Sequence, residues 1–497
     1  MGGERSLAGD DLAEDGMKRI RIIGGGLAGP EAALTAARLG CEVELYEMRA
    51  MVDGKPRLTP AHQTTEFGEL VCSNSLKSES PNTAPWLLKQ EMRRGGSALL
   101  RIADATAVPA GHALAVDRVE FSRRITEAIE AEPRIRVIRE EVTSLSTPSV
   151  QNQNGAKHCT IVATGPLTSD ALSREIERLT GAGHLAFYDS ISPIVDADSI
   201  EMSRVYFAAR WDKGTADYIN CPMDRAEYDR FLDALLEAEA AESKEWEKLD
   251  YFPPHAPDAG ARGPRYFESC LPIEVLARRG RDTLRFGPMK PVGLRDPRTG
   301  KTPWAVVQLR KENLRADSYN LVGFQNHLKF GEQAKVLRLI PGLENARFLR
   351  YGQIHRNTYI CAPALLDECL RLRSQPGLIF AGQICGVEGY TESIASGMLA
   401  GIYAAAIARG EEPVPVPRAT ALGSLVHYIT HADAKNFQPA NITFDLLEPL
   451  DLDPLDQETR RRVRDKKERH RMVCERALEA FDGWRVAIGH PAAELRA

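Results

Sequence analysis

The chain has 497 residues, with 64 Lys and Arg set against 69 Asp and Glu, a formal net charge of -5. That length exceeds one simple core, so two domains plus appendages are expected, and the composition is that of an ordinary globular protein rather than a fibrous or disordered one. No run of about eighteen apolar residues argues for a membrane span. The nine cysteines lack C-x-x-C or zinc-finger spacing, which points away from a disulfide framework or a metal centre.

Residues 1–16 are polar and acidic and read as a disordered tail, without the charged start and apolar middle of a signal peptide; a cytoplasmic protein is expected. Residues 18–23 (KRIRII) predict a short buried strand, followed by Gly24-Gly25-Gly26-Leu27-Ala28-Gly29. Pro30 to Leu39 predicts an Ala-rich helix with proline early, where its missing N–H is harmless. Cys41 to Glu47 predicts the second strand, completing a βαβ start in about thirty residues. Ile161 to Gly165 is a further strand ending in Ala163-Thr164-Gly165, and Gly377 to Ala381 another. The latter leads into Gly382-Gln383-Ile384-Cys385-Gly386-Val387-Glu388-Gly389-Tyr390 and then a small-residue helix, Ile394 to Ile407, in which Gly397 and Gly401 suit close approach to a sheet or ligand.

Between these parts the character changes. Strand-like pieces (204–208, 302–309 and 318–323) mix with a charged helix, 225–247, and a Pro/Gly loop at 253–264. The predicted organisation is a tail (1–16), a first part of a dinucleotide domain (17–194), an insertion (195–335), its second part (336–450) and a helical extension (451–497). The basic run at 460–467 reads as a solvated helix face.

The glycine motif carries a specific chemistry. Gly24 permits the tight turn, Gly26 lets backbone approach a pyrophosphate, and Gly29 allows close helix packing. Gly25, Leu27 and Ala28 complete the loop, and the helix N-terminus offers N–H groups to phosphate. Glu47, at the end of the second strand, is placed to accept from ribose hydroxyls. FAD fits better than NAD, because the distant segment with Gly382, Gly386, Glu388, Gly389 and Tyr390 supplies a second surface for a flavin ring, and Thr164 and Gly165 close a strand as flavoproteins do. The expected fold class is therefore α/β: a Rossmann-like, two-part FAD-binding domain of the glutathione-reductase type with an inserted α/β domain.

Two thiols stand out. Cys72 lies in Phe67-Gly68-Glu69-Leu70-Val71-Cys72-Ser73-Asn74-Ser75, with Lys77 nearby, a setting able to hold a thiolate. Cys270 lies in Tyr266 to Glu274, between two carboxylates that raise a thiol unless neighbouring arginines offset them. Taken alone, each is more often an inert buried residue. His355 and Asn357 in Tyr351 to Ile360, and Tyr390, are candidates to stack on or bond a flat heterocycle, against a bland loop or a core aromatic.

These blocks, together with Cys270-Leu271-Pro272-Ile273-Glu274, Gly287 to Leu294 and Gly323-Phe324-Gln325, resemble the folate- and FAD-dependent tRNA (uracil-5-)-methyltransferase family over residues 18 to about 450. Related wobble-uridine flavoproteins share the FAD motifs, but the Cys-Leu-Pro-Ile-Glu block points away from them. The resemblance implies transfer of one carbon from 5,10-methylenetetrahydrofolate to C5 of a T-loop uridine in tRNA, with FAD reduced by NADPH or NADH. It implies that Cys270 matches the thiol proposed to add at uracil C6 and Cys72 the thiol beside the flavin, with their division of labour left open. His355 and Tyr390 become candidates to stack on or bond the pterin against the flavin. The basic cluster Arg278, Arg279, Arg281, Arg285 and Lys290 becomes the expected RNA face. The alternatives are an rRNA methyltransferase paralogue, an NAD(P)H-dependent flavin oxidoreductase on a small substrate, and a flavin-binding scaffold without catalysis.

Overall fold

The computed structural model describes residues 19–59, 61–145, 159–181, 185–190, 192–212, 215–240, 271–352, 354–451 and 457–490, with the side chains of 185–190, 354–356, 457 and 460 excepted. The tail, the 253–264 loop and Cys270 lie outside the described residues, as does the side chain of His355.

The glycine motif belongs to a six-stranded sheet. Its order is Arg371–Leu372, Gln375–Phe380, Cys159–Val162, Arg19–Ile23, Glu42–Tyr46, Ile135–Ile138. All pairings are parallel except the first. Both faces of such a sheet are covered, which is why Cys159–Val162 is buried at every position. The Ala28–Arg38 helix covers one side, and the Tyr390–Ala408 helix packs along it. Gly397 and Gly401 make that packing possible: a Cβ at Gly397 would strike the Ala28 backbone, and one at Gly401 the Ala32 carbonyl. Their close approach is thus to another helix, rather than to the sheet or a ligand.

The Tyr390–Ala408 helix is also long and apolar enough to cross a membrane, which the search for apolar runs passed over. Thr391, Glu392, Ser393 and Ser396 interrupt it, and most of its residues are buried inside the fold, so its apolar surface is already used by the core.

A second, wholly antiparallel six-stranded sheet is built from the middle of the chain. Its order is Tyr206–Ala208, Tyr218–Met223, Ala305–Lys311, Ser318–Leu321, Ile194–Asp196, Phe348–Arg350. The antiparallel pair Leu185–Ser190 and Ile354–Tyr359 carries the chain into and out of it. Period-two alternation gives this sheet two different faces. Ile219, Cys221, Met223, Val307, Leu309 and Leu321 join one core with the Arg225–Glu237, Ile273–Arg278 and Phe330–Leu337 helices. Asn220 opposite Gln308, and Arg310 opposite Asn320, make the other face polar. The 225–237 helix starts on a capping box, Asp224 with Glu227, and ends at Glu237, ten residues short of the sequence expectation. The described C-terminal residues form two helices, Gln457–Arg462 and Lys466–Ala487. The second packs its Val473, Cys474, Ala477, Phe481 and Trp484 into the first core.

Candidate functional site

A cleft opens at the carboxyl edge of the parallel sheet. Strand ends bring its lining together from distant sequence: Ile23 to Ala28, Tyr46 to Arg49, Ala163 to Ser169, and Gly382, Gln383, Tyr390 and Ser393. That is where an open α/β sheet binds ligands.

Physical constraints make the loop a ligand cradle. Gly24 has φ of +114°, and a Cβ there would meet the Ala163 carbonyl, so only glycine turns the chain at this point. At Gly26 a Cβ would meet nothing within 4 Å, so that backbone is open to a ligand. The first turn of the Ala28–Arg38 helix points its N–H groups the same way. An apolar-walled cleft with an uncovered glycine loop and a helix N-terminus fits an FAD diphosphate.

Glu47 does more than line the cleft. Its Oε2 accepts the Gly25 N–H at 2.6 Å, and its Oε1 accepts the Arg49 backbone N–H at 2.8 Å and Nε at 3.0 Å. Arg49 also donates to the Gly25 carbonyl at 3.3 Å and to Glu69 at 3.4 Å. Burial pushes the Glu47 carboxyl up, but the Arg49 charge and hydrogen bonds outweigh it and hold the group below the usual carboxylate range. Beside the ribose role expected of it, Glu47 clamps the glycine loop to Arg49. The Glu-x-Arg spacing was visible but not used.

Cys72 does not line the cleft itself but follows Val71 and contacts Tyr390, both of which do. The Tyr390 hydroxyl oxygen accepts the Cys72 N–H at 2.8 Å and the Ser73 N–H at 3.2 Å. It also lies 3.0 Å from the Cys72 sulfur. With both acceptor directions filled, the phenol's proton points to the sulfur. Burial, then the neighbouring Cys72, push the Tyr390 hydroxyl well above its usual range, so it remains a donor. Two cations face the same place. Burial opposes the charge on Arg118, but Glu312, Tyr390 and Cys72 more than restore it. Arg118 donates to the Leu70 carbonyl at 2.6 Å and pairs with Glu312 at 2.8 Å. Arg350 is lowered by burial and by Arg118, with Tyr390, Glu69 and Cys72 acting the other way. The polar face of the second sheet completes the clamp: Arg310 donates to Asn74 at 2.9 Å and to Ser73 at 3.2 Å. Two carbonyls accept the Asn74 amide, Val116 and Lys311, each at 2.9 Å.

The other expected residues are placed as follows. Gly24, Gly25, Gly26, Leu27, Ala28, Glu47, Thr164, Gly165, Gly382 and Tyr390 line the cleft; Gly29, Gly386, Glu388, Gly389, Cys72 and Asn357 do not. Gly386 lies against the Phe437 ring, and Gly389 against Lys77 and Glu392. Glu388 accepts from Gln383 at 2.7 Å. Lys77, expected beside Cys72, instead donates to Glu392 at 2.6 Å and Asn441 at 2.9 Å. Asn357 is buried on the Ile354–Tyr359 strand. Arg278 and Arg279 are exposed at the end of the Ile273–Arg278 helix, away from the cleft lining. Arg281 is spent on Asp229 and Asp233, and Arg285 on Asp282 and the Trp304 ring.

Residues 19–412 match the family described as Glucose inhibited division protein A. A methylenetetrahydrofolate--tRNA-(uracil-5-)-methyltransferase TrmFO of Koribacter versatilis (strain Ellin345) is 67% identical over 466 residues, covering 94% of this chain and 98% of its own. The enzyme of the same name from Solibacter usitatus (strain Ellin6076) is 60% identical over 474 residues, covering 95% and 99%. Among solved structures, Aquifex aeolicus GidA in its form II crystal superposes with a TM-score of 0.64 at 18% identity, over 96% of this chain and 74% of that one. At that identity the likeness speaks for the fold.

Proposed function

The chain belongs to the methylenetetrahydrofolate–tRNA-(uracil-5-)-methyltransferases of the glucose inhibited division protein A family, and from that premise we propose how its residues divide the work. The enzyme moves one carbon from 5,10-methylenetetrahydrofolate to C5 of a tRNA uridine and uses FAD. We place the target in the T-loop, take NADPH or NADH as the reductant, and locate the enzyme in the cytoplasm, where these substrates occur together.

The glycine loop and the first turn of the 28–38 helix hold the FAD diphosphate, with Thr164, Gly165 and Gly382 on the facing wall. Glu47 and Arg49 fix the loop's shape. When bound and reduced, FAD supplies the reducing equivalents by which a transferred methylene becomes a methyl group.

The single observation that carries the chemistry is the Cys72–Tyr390 contact at 3.0 Å, with Arg118 and Arg350 beside it. A donated phenol proton and two guanidinium groups favour a thiolate. Uracil C5 is a poor nucleophile until a thiolate adds at C6, which turns the ring into an enolate whose C5 attacks an electrophilic methylene. Loss of the C5 proton to a base then breaks the methylene–nitrogen bond and releases tetrahydrofolate, and a hydride equivalent added at the exocyclic methylene makes the methyl group and expels the thiolate from C6. Cys72 and Cys270 remain the two thiols for these steps. Cys72 is the thiol we take to be held charged, with Tyr390, Arg118 and Arg350 as its positioning residues. We assign RNA contact to the exposed Arg278, Arg279 and Lys290 of the basic cluster.

The test is transfer of labelled carbon from methylenetetrahydrofolate into unmodified tRNA and into an rRNA fragment, with NADPH, by wild type, Cys72→Ala and Cys270→Ala. Transfer to tRNA alone, lost in Cys72→Ala while flavin is retained, is expected. Full activity in Cys72→Ala removes the proposed thiol role, and transfer to the rRNA fragment alone removes the T-loop.

A further inference from the structure

We propose that Glu368, His427 and His431 form a binding site for a divalent transition-metal ion such as Zn2+, separate from the flavin cleft. The two histidines lie four residues apart on the Ala421–His431 helix, which places them on one face. Glu368 comes from the segment just after the Ala362–Leu365 helix. One ligand atom from each lies within 4.8 Å of the other two. Around a tetrahedral zinc ion, ligands at about 2.0–2.2 Å stand roughly 3.3 Å apart. His431 Nε2 and Glu368 Oε1 are already 3.6 Å apart. Closing the remaining spread, up to about 1.5 Å, takes side-chain rotation, which half-exposed side chains accommodate.

The hydrogen bonds around His431 set it up as a ligand. The Thr430 hydroxyl donates its one proton to the Val426 carbonyl at 2.7 Å. Its oxygen, 2.9 Å from His431 Nδ1, can therefore only accept there, so Nδ1 carries the ring proton. The His427 carbonyl, 3.3 Å from the same nitrogen, agrees with that assignment. The lone pair is left on Nε2, the atom that faces Glu368. This is the outer-shell arrangement that orients a metal-binding histidine. The His427 ring stacks on His431 with centroids 4.3 Å apart, and a ring nitrogen of each lies within 4.8 Å of the other and of a Glu368 oxygen.

The site has a mechanical connection to the rest of the fold. The chain leaving His431 runs to Phe437, whose ring fills the space at Gly386. It continues to Ala440, which accepts the Glu388 N–H, and to Asn441, which accepts from Lys77. An ion joining Glu368 to the helix end would brace the segment that supports the second glycine-rich stretch.

The experiment is calorimetric titration of untagged, FAD-bound full-length protein with Zn2+, alongside thermal unfolding. Wild type is expected to bind one saturable equivalent and to unfold at a higher temperature with the ion. His431→Ala and His427→Ala should lose that equivalent while keeping their flavin. Thr430→Val removes no ligand atom and should weaken binding about tenfold by releasing the Nδ1–H. Wild-type affinity in His431→Ala places the ion elsewhere and overturns the proposal, as does the absence of a one-to-one component in wild type.

Discussion

Replacing Tyr390 by Phe removes one hydroxyl and leaves the ring. In the native arrangement that oxygen accepts two backbone N–H groups, from Cys72 and Ser73, and its proton faces the Cys72 sulfur at 3.0 Å. A hydrogen bond to a charged group contributes about 1.5–3 kcal/mol. Since about 1.4 kcal/mol is tenfold in an equilibrium, the variant should hold roughly 10- to 100-fold less thiolate at a fixed pH. Arg118 and Arg350 remain, so part of the effect survives. The assay is the rate of iodoacetamide alkylation of flavin-bound protein across pH, read by mass spectrometry of the peptide containing Cys72. Single-turnover carbon transfer to tRNA is measured beside it. Both rates should fall together near neutral pH and converge with wild type as pH rises and hydroxide ionises the thiol. A purely structural role for the phenol would lower flavin content without altering alkylation. Equal alkylation rates at every pH would refute the hydrogen-bond argument.

Gly24→Ala forces a Cβ toward the Ala163 carbonyl at a φ of +114°. It should cost about 1–3 kcal/mol and yield protein with little flavin, judged from the ratio of flavin to protein absorbance. Arg49→Met leaves Glu47 buried without its cation and should destabilise by about 3–5 kcal/mol in thermal unfolding. The Glu47 carboxyl lies below its usual range when folded. Its stabilisation is thus present above the ordinary carboxylate pKa and lost as pH falls through the lower folded value, so Arg49→Met should release flavin at a less acidic pH than wild type. Glu91 behaves in the opposite way. Burial pushes it up to about 8, although it accepts the Ala421 and Leu422 N–H groups at the start of their helix. Protonation favours the fold there, so this group's contribution is full below its ordinary value of 4.5 and falls away as pH rises through about 8. Glu91→Gln should flatten the decline in unfolding temperature between about pH 5 and about pH 9.

What was legible in the sequence was local. The strand, glycine loop, helix and second strand around Gly24 follow from short-range rules: a β-rich run, a turn that only glycine makes, early proline, and alternation in Glu42–Tyr46. The same holds for the second glycine-rich stretch, although its helix begins at Tyr390, four residues before the apolar pattern suggested. Ends are set by capping and by what the first turn touches, and hydropathy does not report either. The charged helix after Arg225 was overextended for a related reason. Its acidic, Ala-rich continuation has good helix propensity, but the helix gives way at Ala238, whose extended backbone leads to a bridge between Ala240 and Leu328.

The environment of Cys72 was not legible, because nothing local creates it. Lys77 is five residues away and looked like its cation, yet the turn at that lysine, with φ of +64°, directs the side chain to Glu392. The charges that do face the sulfur belong to Arg118 and Arg350. One starts a helix, and the other ends the last strand of the second sheet. Both act on Cys72 electrostatically from other parts of the chain, and the polar face of that sheet docks on the neighbouring Ser73 and Asn74 through Arg310. The thiolate proposed at Cys72 would therefore depend on how the two sheets meet. A substitution that loosens their junction, such as Asn74→Ala, should lower Cys72 reactivity without touching Cys72, Tyr390 or either arginine.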